Sequence, residues 1–274
     1  MKEVRATAAH DAHAAAIARL YDLDLSADPG DVELFQALAR RTGGPIVELA
    51  VGSGRIAVPL AEDGYDIVGV DLDPAMLDRA RARIATAGAR AARRIELVEC
   101  DMTEAHTNTA VTAAGPYQLA ILALNSILIL NTPERQRAAL RAMAGLLAPG
   151  GIAVVDTWIP VPADLTAFDG RLSLDWLRSD PETGNEVTKQ SAAWFDPVAR
   201  VVTLATLFDE GLPGEPPVRW TRNDVLRFVT VDELISYASD AGLQVEQVAG
   251  DHELNPLSPG SDRAVLLARK PPNA

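Results

Sequence analysis

The chain has a single cysteine, Cys100, so no internal disulfide can form, and a reducing cytosol is the expected setting. Lysine is almost missing. It occurs only at positions 2, 189 and 270, so arginine carries nearly all the basic charge, a bias of genome composition more than of function. Basic residues as a whole are in deficit: 25 Lys and Arg stand against 38 Asp and Glu, for a formal net charge of -13 and a pI near 4.7. An acidic body repels duplex nucleic acid and anionic bilayers, which excludes both as main partners. Long apolar runs are lacking too. The most apolar stretch, Leu119 to Leu130, is broken by Asn125 and Ser126 and is too short to span a membrane. The start, M-K-E-V-R-A-T-A-A-H-D, has no apolar h-region, so no signal peptide is expected. These absences leave a cytoplasmic enzyme acting on small molecules.

At 274 residues the chain can hold one large α/β domain with an insertion. Residues 1–43 read as an N-terminal helical cap, with helical spacing over Ala8–Leu20 and Val32–Arg41. Strand and helix then alternate through residues 44–162: strand Ile46–Val51, helix Arg55–Ala61, strand Asp66–Val70, helix Ala75–Ala87 and strand Ile95–Glu99. Strand Gln118–Leu124, helix Pro133–Leu147 and strand Gly151–Thr157 follow. Continuous apolar strands joined by helices predict a parallel sheet buried on both faces. Residues 163–228 change texture, with strands at 172–178, 186–195, 199–208 and 218–228 separated by D-P-E-T-G-N, D-P-V and G-L-P-G-E-P-P, an antiparallel meander inserted into the domain. The domain resumes over 229–274 with helix Val231–Ala241 and strands Leu243–Val248 and Ala264–Ala268. The loop between these strands is too short for a crossover helix, so they pair antiparallel.

The stretch V-E-L-A-V-G-S-G-R-I-A-V-P-L, residues 47–60, carries Gly52, Gly54 and Ala57 in the spacing of a dinucleotide-binding turn. Glu48, four residues upstream, disagrees with that reading because a carboxylate repels a pyrophosphate. Asp71 and Asp101 fall at the ends of the next two strands, where an open parallel sheet binds its ligands. Asp71 suits the ribose hydroxyls of any adenosine cofactor. Glu48 suits a cation, as in S-adenosylmethionine, whose ammonium and sulfonium replace the two phosphates of NAD.

The segments E-L-A-V-G-S-G-R, V-G-V-D-L-D-P-A-M-L-D-R-A, L-V-E-C-D-M-T and L-L-A-P-G-G-I-A-V-V-D resemble the successive motifs of class I S-adenosylmethionine-dependent methyltransferases, over about Ile46 to Thr157. The resemblance implies a Rossmann-like, seven-stranded, mostly parallel sheet with one antiparallel strand. It implies S-adenosyl-L-methionine as cofactor and methyl transfer to an N or O of a small molecule in secondary metabolism. It also carries over a cofactor set: Glu48, Ala50, Gly52 and Gly54 for the methionine part, Asp71 and Leu72 for ribose and adenine, and Asp101 and Met102 for adenine, with Met76 and Leu124 beside them. Val51 stands where Cys or Gly is frequent, and Pro59 sits in the first turn of the following helix, where it is tolerated. A cofactor-binding protein of this fold with a non-methylating, cyclase-like role and an NAD-dependent oxidoreductase are the rival readings.

The acceptor side is less legible. Tyr21-Asp22 resembles an element that folds over the cofactor in aminosugar N-methyltransferases and glycine N-methyltransferase relatives, although Tyr21 could equally be a packing residue. Asn125 either holds the substrate or caps the next turn. His252 is the only histidine that topology puts in a loop on the active face, and histidine is the side chain best suited to proton transfer near neutral pH; a plain surface-loop residue is the alternative. Tyr21, Asn125 and His252 are the candidate catalytic residues. Trp158, Trp176, Trp194 and Trp220 line a pocket or pack a lid. His10 and His13 lack a carboxylate partner motif, so no metal is expected. The arginines at 79, 81, 83, 90, 93 and 94 read as a solvated helix face because no aromatics interleave them. Edge strands in the insertion allow a homodimer.

Overall fold

The computed structural model describes residues 2–26, 29–212 and 214–272, in two compact units: residues 1–27 with 160–228, and residues 28–159 with 229–274. The N-terminal segment divides between them. Helix α1 (Lys2–Asp24) belongs to the smaller unit and α2 (Val32–Thr42) to the larger. α2 buries Leu34, Phe35, Leu38 and Ala39 on one stripe and carries Arg40 and Arg41 in its last turn, where they complement the helix dipole.

The larger unit then alternates as expected: β1 (Ile46–Leu49), α3 (Ala57–Glu62), β2 (Ile67–Asp71), α4 (Pro74–Ala87), a short α5 (Ala89–Ala92) and β3 (Ile95–Glu99). After these come α6 (Thr109–Ala113), β4 (Tyr117–Leu122), α7 (Pro133–Leu146) and β5 (Leu147–Trp158). Past the smaller unit's α8 (Pro162–Ala167), β6 (Ser173–Ser179), β7 (Glu186–Asp196), β8 (Val201–Gly211) and β9 (Val218–Arg227), the chain returns for α9 (Val231–Asp240), β10 (Gln244–Ala249) and β11 (Arg263–Arg269). The seven-stranded sheet runs β10-β11-β5-β4-β1-β2-β3. β1 to β5 pair parallel, and β11 is antiparallel to both β5 and β10, the single reversed strand. All four residues of β1 are buried, as a central strand covered on both faces requires.

Element starts follow local chemistry. Asp73 caps α4 by accepting from Ala75 N at 2.9 Å with Pro74 at the first helical position, and Thr230 and Glu233 form a reciprocal capping box on α9. Two strands of the seven-stranded sheet stop two residues short of expectation, for one reason. β1 stops at Leu49 and β4 at Leu122, short of Val51 and Leu124, because Ala50 (φ 55°), Leu124 (47°) and Asn125 (66°) turn left-handed. The short helices α5, α6 and α8 are too brief to show a 3.6-residue period in sequence.

In the smaller unit β6-β7-β8-β9 form an antiparallel meander. Helix α1 buries Leu20 and Leu23 with Val187 and Phe208, and Trp176 and Trp220 pack against that cluster. Their indole N–H groups donate to Asp24 Oδ1 at 2.8 Å and to Glu210 Oε2 at 2.9 Å, which accounts for both tryptophans as packing residues. Among the described residues no helix is long and apolar enough to cross a membrane.

Candidate active site

The turn after β1 is built by backbone conformation. Gly52 and Gly54 take φ values of 55° and 78°, after Ala50 at 55°. A Cβ on Gly52 would meet only Met76 Cε, at 3.4 Å, so the left-handed φ rather than crowding selects glycine there. Gly69 in β2 is the reverse case: a Cβ there would lie 2.8 Å from Val51 Cγ2, so the larger residue at position 51 is matched by the missing side chain beneath it. Asp71 ties the turn to the end of β2, accepting from Gly52 N at 2.8 Å and from Asp73 N at 3.0 Å. Burial pushes its carboxyl up, and those two N–H groups oppose the shift.

Glu48 is 3% exposed, and its Oε2 has no hydrogen-bond partner among the described residues. Loss of water pushes this carboxyl up to about 8; the Arg55 guanidinium opposes that, and the negative charges of Asp31 and Asp71 reinforce it. Asp31 is fully buried and accepts from Arg55 Nη1 and Nη2 at 2.5 and 2.7 Å, a bidentate pair. On the far side of the turn Leu72, 61% exposed, leaves an apolar side chain next to Asp71. Asp101 follows β3 and accepts from Thr103 N and Oγ1 at 2.9 and 2.8 Å and from Arg135 Nη2 at 2.8 Å. Burial opposes its ionisation, but the Arg135 and Thr103 bonds hold it below the usual carboxylate range. Met102 beside it is partly buried.

A second cluster gathers on Asp156, at the end of β5 and fully buried. Its Oδ1 accepts from Arg263 Nη1 at 2.6 Å and lies 3.3 Å from His252 Nε2, and its Oδ2 accepts from Leu124 N at 3.1 Å. Its main-chain oxygen accepts from Asn125 N at 3.1 Å, and Asn125 Oδ1 accepts from Trp158 N at 2.5 Å. Asn125 therefore does not cap the 3-10 turn Ser126–Ile129 with its side chain; it staples the end of β4 to the end of β5. Burial works against ionising Asp156, yet His252 and Arg263 outweigh it and hold the carboxyl below its ordinary value.

The two clusters meet. One ligand atom each from Asp31, Asp156 and His252 lie within 4.8 Å of one another, so the glycine turn and the His252 loop share one end of the sheet. Such a trio resembles a cation site, but Arg55 and Arg263 already supply the positive charge that these carboxylates need. Of the three candidate catalytic residues, the structure brings Asn125 and His252 onto Asp156. Tyr21 lies in the smaller unit, partly buried, with the Arg222 guanidinium 6.0 Å from its ring centre. His10 is exposed, while His13 contacts Thr221 O at 2.9 Å and the Trp220 ring, a packing role. Asp31, Arg55, Asp156 and Arg263 had not stood out in the sequence. Only Arg55 carried a signal there, as a charge directly after Gly54 in the motif.

Residues 46–151 match a family model described as a methyltransferase domain. The matched segment runs from β1 into β5, the part of the larger unit that carries the glycine turn. The chain is 25% identical over 234 residues to the cypemycin N-terminal methyltransferase of a Streptomyces species, covering 83% of this chain and 84% of that protein. Uncharacterised Mycobacterium tuberculosis proteins are 30% identical over 120 residues, and the match spans 39% of their length. Among solved structures, the CcbJ methyltransferase from Streptomyces caelestis is similar in fold, with a TM-score of 0.73 at 23% identity, over 89% of this chain and 97% of that one. A sugar N-methyltransferase from Streptoalloteichus gives 0.69 at 19% identity, over 92% of each chain. The matched segment contains Glu48, Asp71 and Asp101. An orphaned, buried carboxyl oxygen at Glu48 fits an ammonium donor, so the glycine spacing alone does not make this a dinucleotide site.

Proposed function

We propose that this chain transfers the methyl group of S-adenosylmethionine to the nitrogen of a small-molecule amine. The observation that carries the cofactor reading is Glu48. A buried carboxyl with an unused oxygen, held protonated in the free protein, ionises when an α-ammonium reaches it and gains a charge-assisted hydrogen bond that a phosphate cannot supply. Ala50, Gly52 and Gly54 carry the backbone past the methionine part. Asp71 accepts the ribose hydroxyls on lone pairs that Gly52 and Asp73 leave free, and Leu72, Met76 and Leu124 supply apolar contact. Asp101 accepts from the adenine amino group, and the Met102 backbone bonds the ring.

Bound S-adenosylmethionine supplies a methyl carbon activated by its sulfonium. The protein's task is to hold the nucleophile in line, exclude water and take up a proton. His252, held by Asp156, accepts the amine proton, and the Asn125 amide orients the acceptor. Tyr21 is the third residue proposed to affect transfer. Nitrogen is favoured over oxygen by the cypemycin N-terminal and sugar N-methyltransferases among the similar proteins. The edge strands of the meander, with Leu174 and Leu177 exposed, support a homodimer, which sedimentation velocity would test.

The test is incubation with methyl-labelled S-adenosylmethionine and a panel of small amines, each matched by its alcohol, read by mass spectrometry. Label on nitrogen is expected, and label on oxygen alone would overturn the preference. Substituting Tyr21→Phe, Asn125→Ala and His252→Asn separately should each slow transfer, His252→Asn by at least about tenfold. If all three left transfer unchanged, the acceptor assignment would be wrong.

A further inference from the structure

We infer that Asp156 is a positioning residue that fixes the His252 ring in its Nε2–H tautomer, leaving Nδ1 as the ring's only acceptor. The inference rests on the reading of His252 as the proton acceptor. Asp156 is fully buried, and Arg263 Nη1 at 2.6 Å keeps it ionised, so its oxygens can only accept. The ring nitrogen that faces Oδ1 at 3.3 Å is therefore the donor. Asp31, the other carboxylate of the cluster, has both oxygens engaged by Arg55 and does not compete for that proton. A neutral imidazole has one donor and one acceptor nitrogen, so fixing Nε2–H assigns proton uptake to Nδ1.

The same residue holds the other half of the proposed acceptor site. Its Oδ2 takes Leu124 N and its main-chain oxygen takes Asn125 N, at the two consecutive left-handed residues that end β4. Two residues in sparsely populated backbone conformations stay there only when their surroundings determine them, and Asp156 supplies both bonds. The Asp156 side chain thus orients the proposed base, and its side chain and main chain together hold the turn that presents Asn125.

The test uses the full chain labelled with ¹⁵N-histidine, saturated with S-adenosylhomocysteine, at a pH where the His252 ring is neutral. Long-range ¹H–¹⁵N spectra report the tautomer, and His252→Asn identifies the signal among the four histidines. The expected wild-type spectrum shows a single Nε2–H form, and Asp156→Asn should lose that preference and populate both forms. An Nδ1–H form or a mixture in the wild type would overturn the inference, as would an Asp156→Asn protein that keeps the single form. If Asp156→Asn fails to fold, the wild-type spectrum alone decides. Transfer by His252→Asn separates this inference from the reading beneath it. With the expected tautomer but undiminished transfer, the base reading fails and the positioning role falls with it. With the opposite tautomer and lost transfer, the base reading stands and the role given to Asp156 fails.

Discussion

At Glu48 a carboxylate is kept out of water with an arginine nearby and one oxygen unused. A group held this way is unfavourable to the fold and useful to a ligand, which gives opposite expectations for stability and binding. Glu48→Gln removes the titratable carboxyl and keeps the shape. It should raise the thermal unfolding midpoint while weakening S-adenosylhomocysteine binding at least about tenfold, since a hydrogen bond to a charged group contributes about 1.5–3 kcal/mol. Unchanged affinity in calorimetry would remove Glu48 from the cofactor site. The pH dependence has a definite sign. The folded carboxyl titrates near 8 and the free one near 4.5, so between those values the unfolded chain has released a proton that the native state keeps. Stability should therefore decline as pH rises through that window and level off above it. Urea unfolding at several pH values should show the slope in the wild-type protein and a smaller one in Glu48→Gln.

Among the elements, the junction of β4 with β5 is the most constrained. Leu124 and Asn125 are left-handed, and the Asn125 side chain accepts from Trp158 N. Asn125→Ala loses that bond and puts a less tolerant residue at positive φ, for a combined cost of about 2 kcal/mol. Asn125→Gly loses only the bond, so in chemical denaturation it should be the more stable of the two, while both transfer methyl groups poorly. Equal stability would mean that backbone strain at position 125 is negligible. This junction also marks where sequence reading stops. The alternation of strands and helices, the reversed β11 and the Asp73-Pro74 start of α4 were legible because each is written in neighbouring residues. The ends of β1 and β4 were overextended because Ala50 and Leu124 give no local sign of a left-handed turn. Asp156 was silent for a different reason: its bonds reach Leu124, His252 and Arg263 across 32, 96 and 107 positions, and V-V-D-T-W reads simply as a strand. Asp31 and Arg55, 24 positions apart, were hidden in the same way. The pairing of α1 with the meander, as in Arg19 to Glu210 across 191 positions, likewise had no trace in the order of the elements.

For the whole molecule, 38 acidic against 25 basic residues disfavour polyanionic partners, and in the proposed function Glu48 selects the cofactor. A net negative charge disfavours anionic ligands at long range, and the negative charges of Asp31 and Asp71 act on Glu48 in the glycine turn. The expectation that such a turn binds a dinucleotide rests on spacing, which reports only how the backbone bends. The carboxylates report the charge of the ligand. Calorimetric titration of the same preparation with S-adenosylhomocysteine and with NAD tests this most directly: the account predicts binding of S-adenosylhomocysteine and no detectable heat from NAD. Binding of NAD without binding of S-adenosylhomocysteine would contradict it.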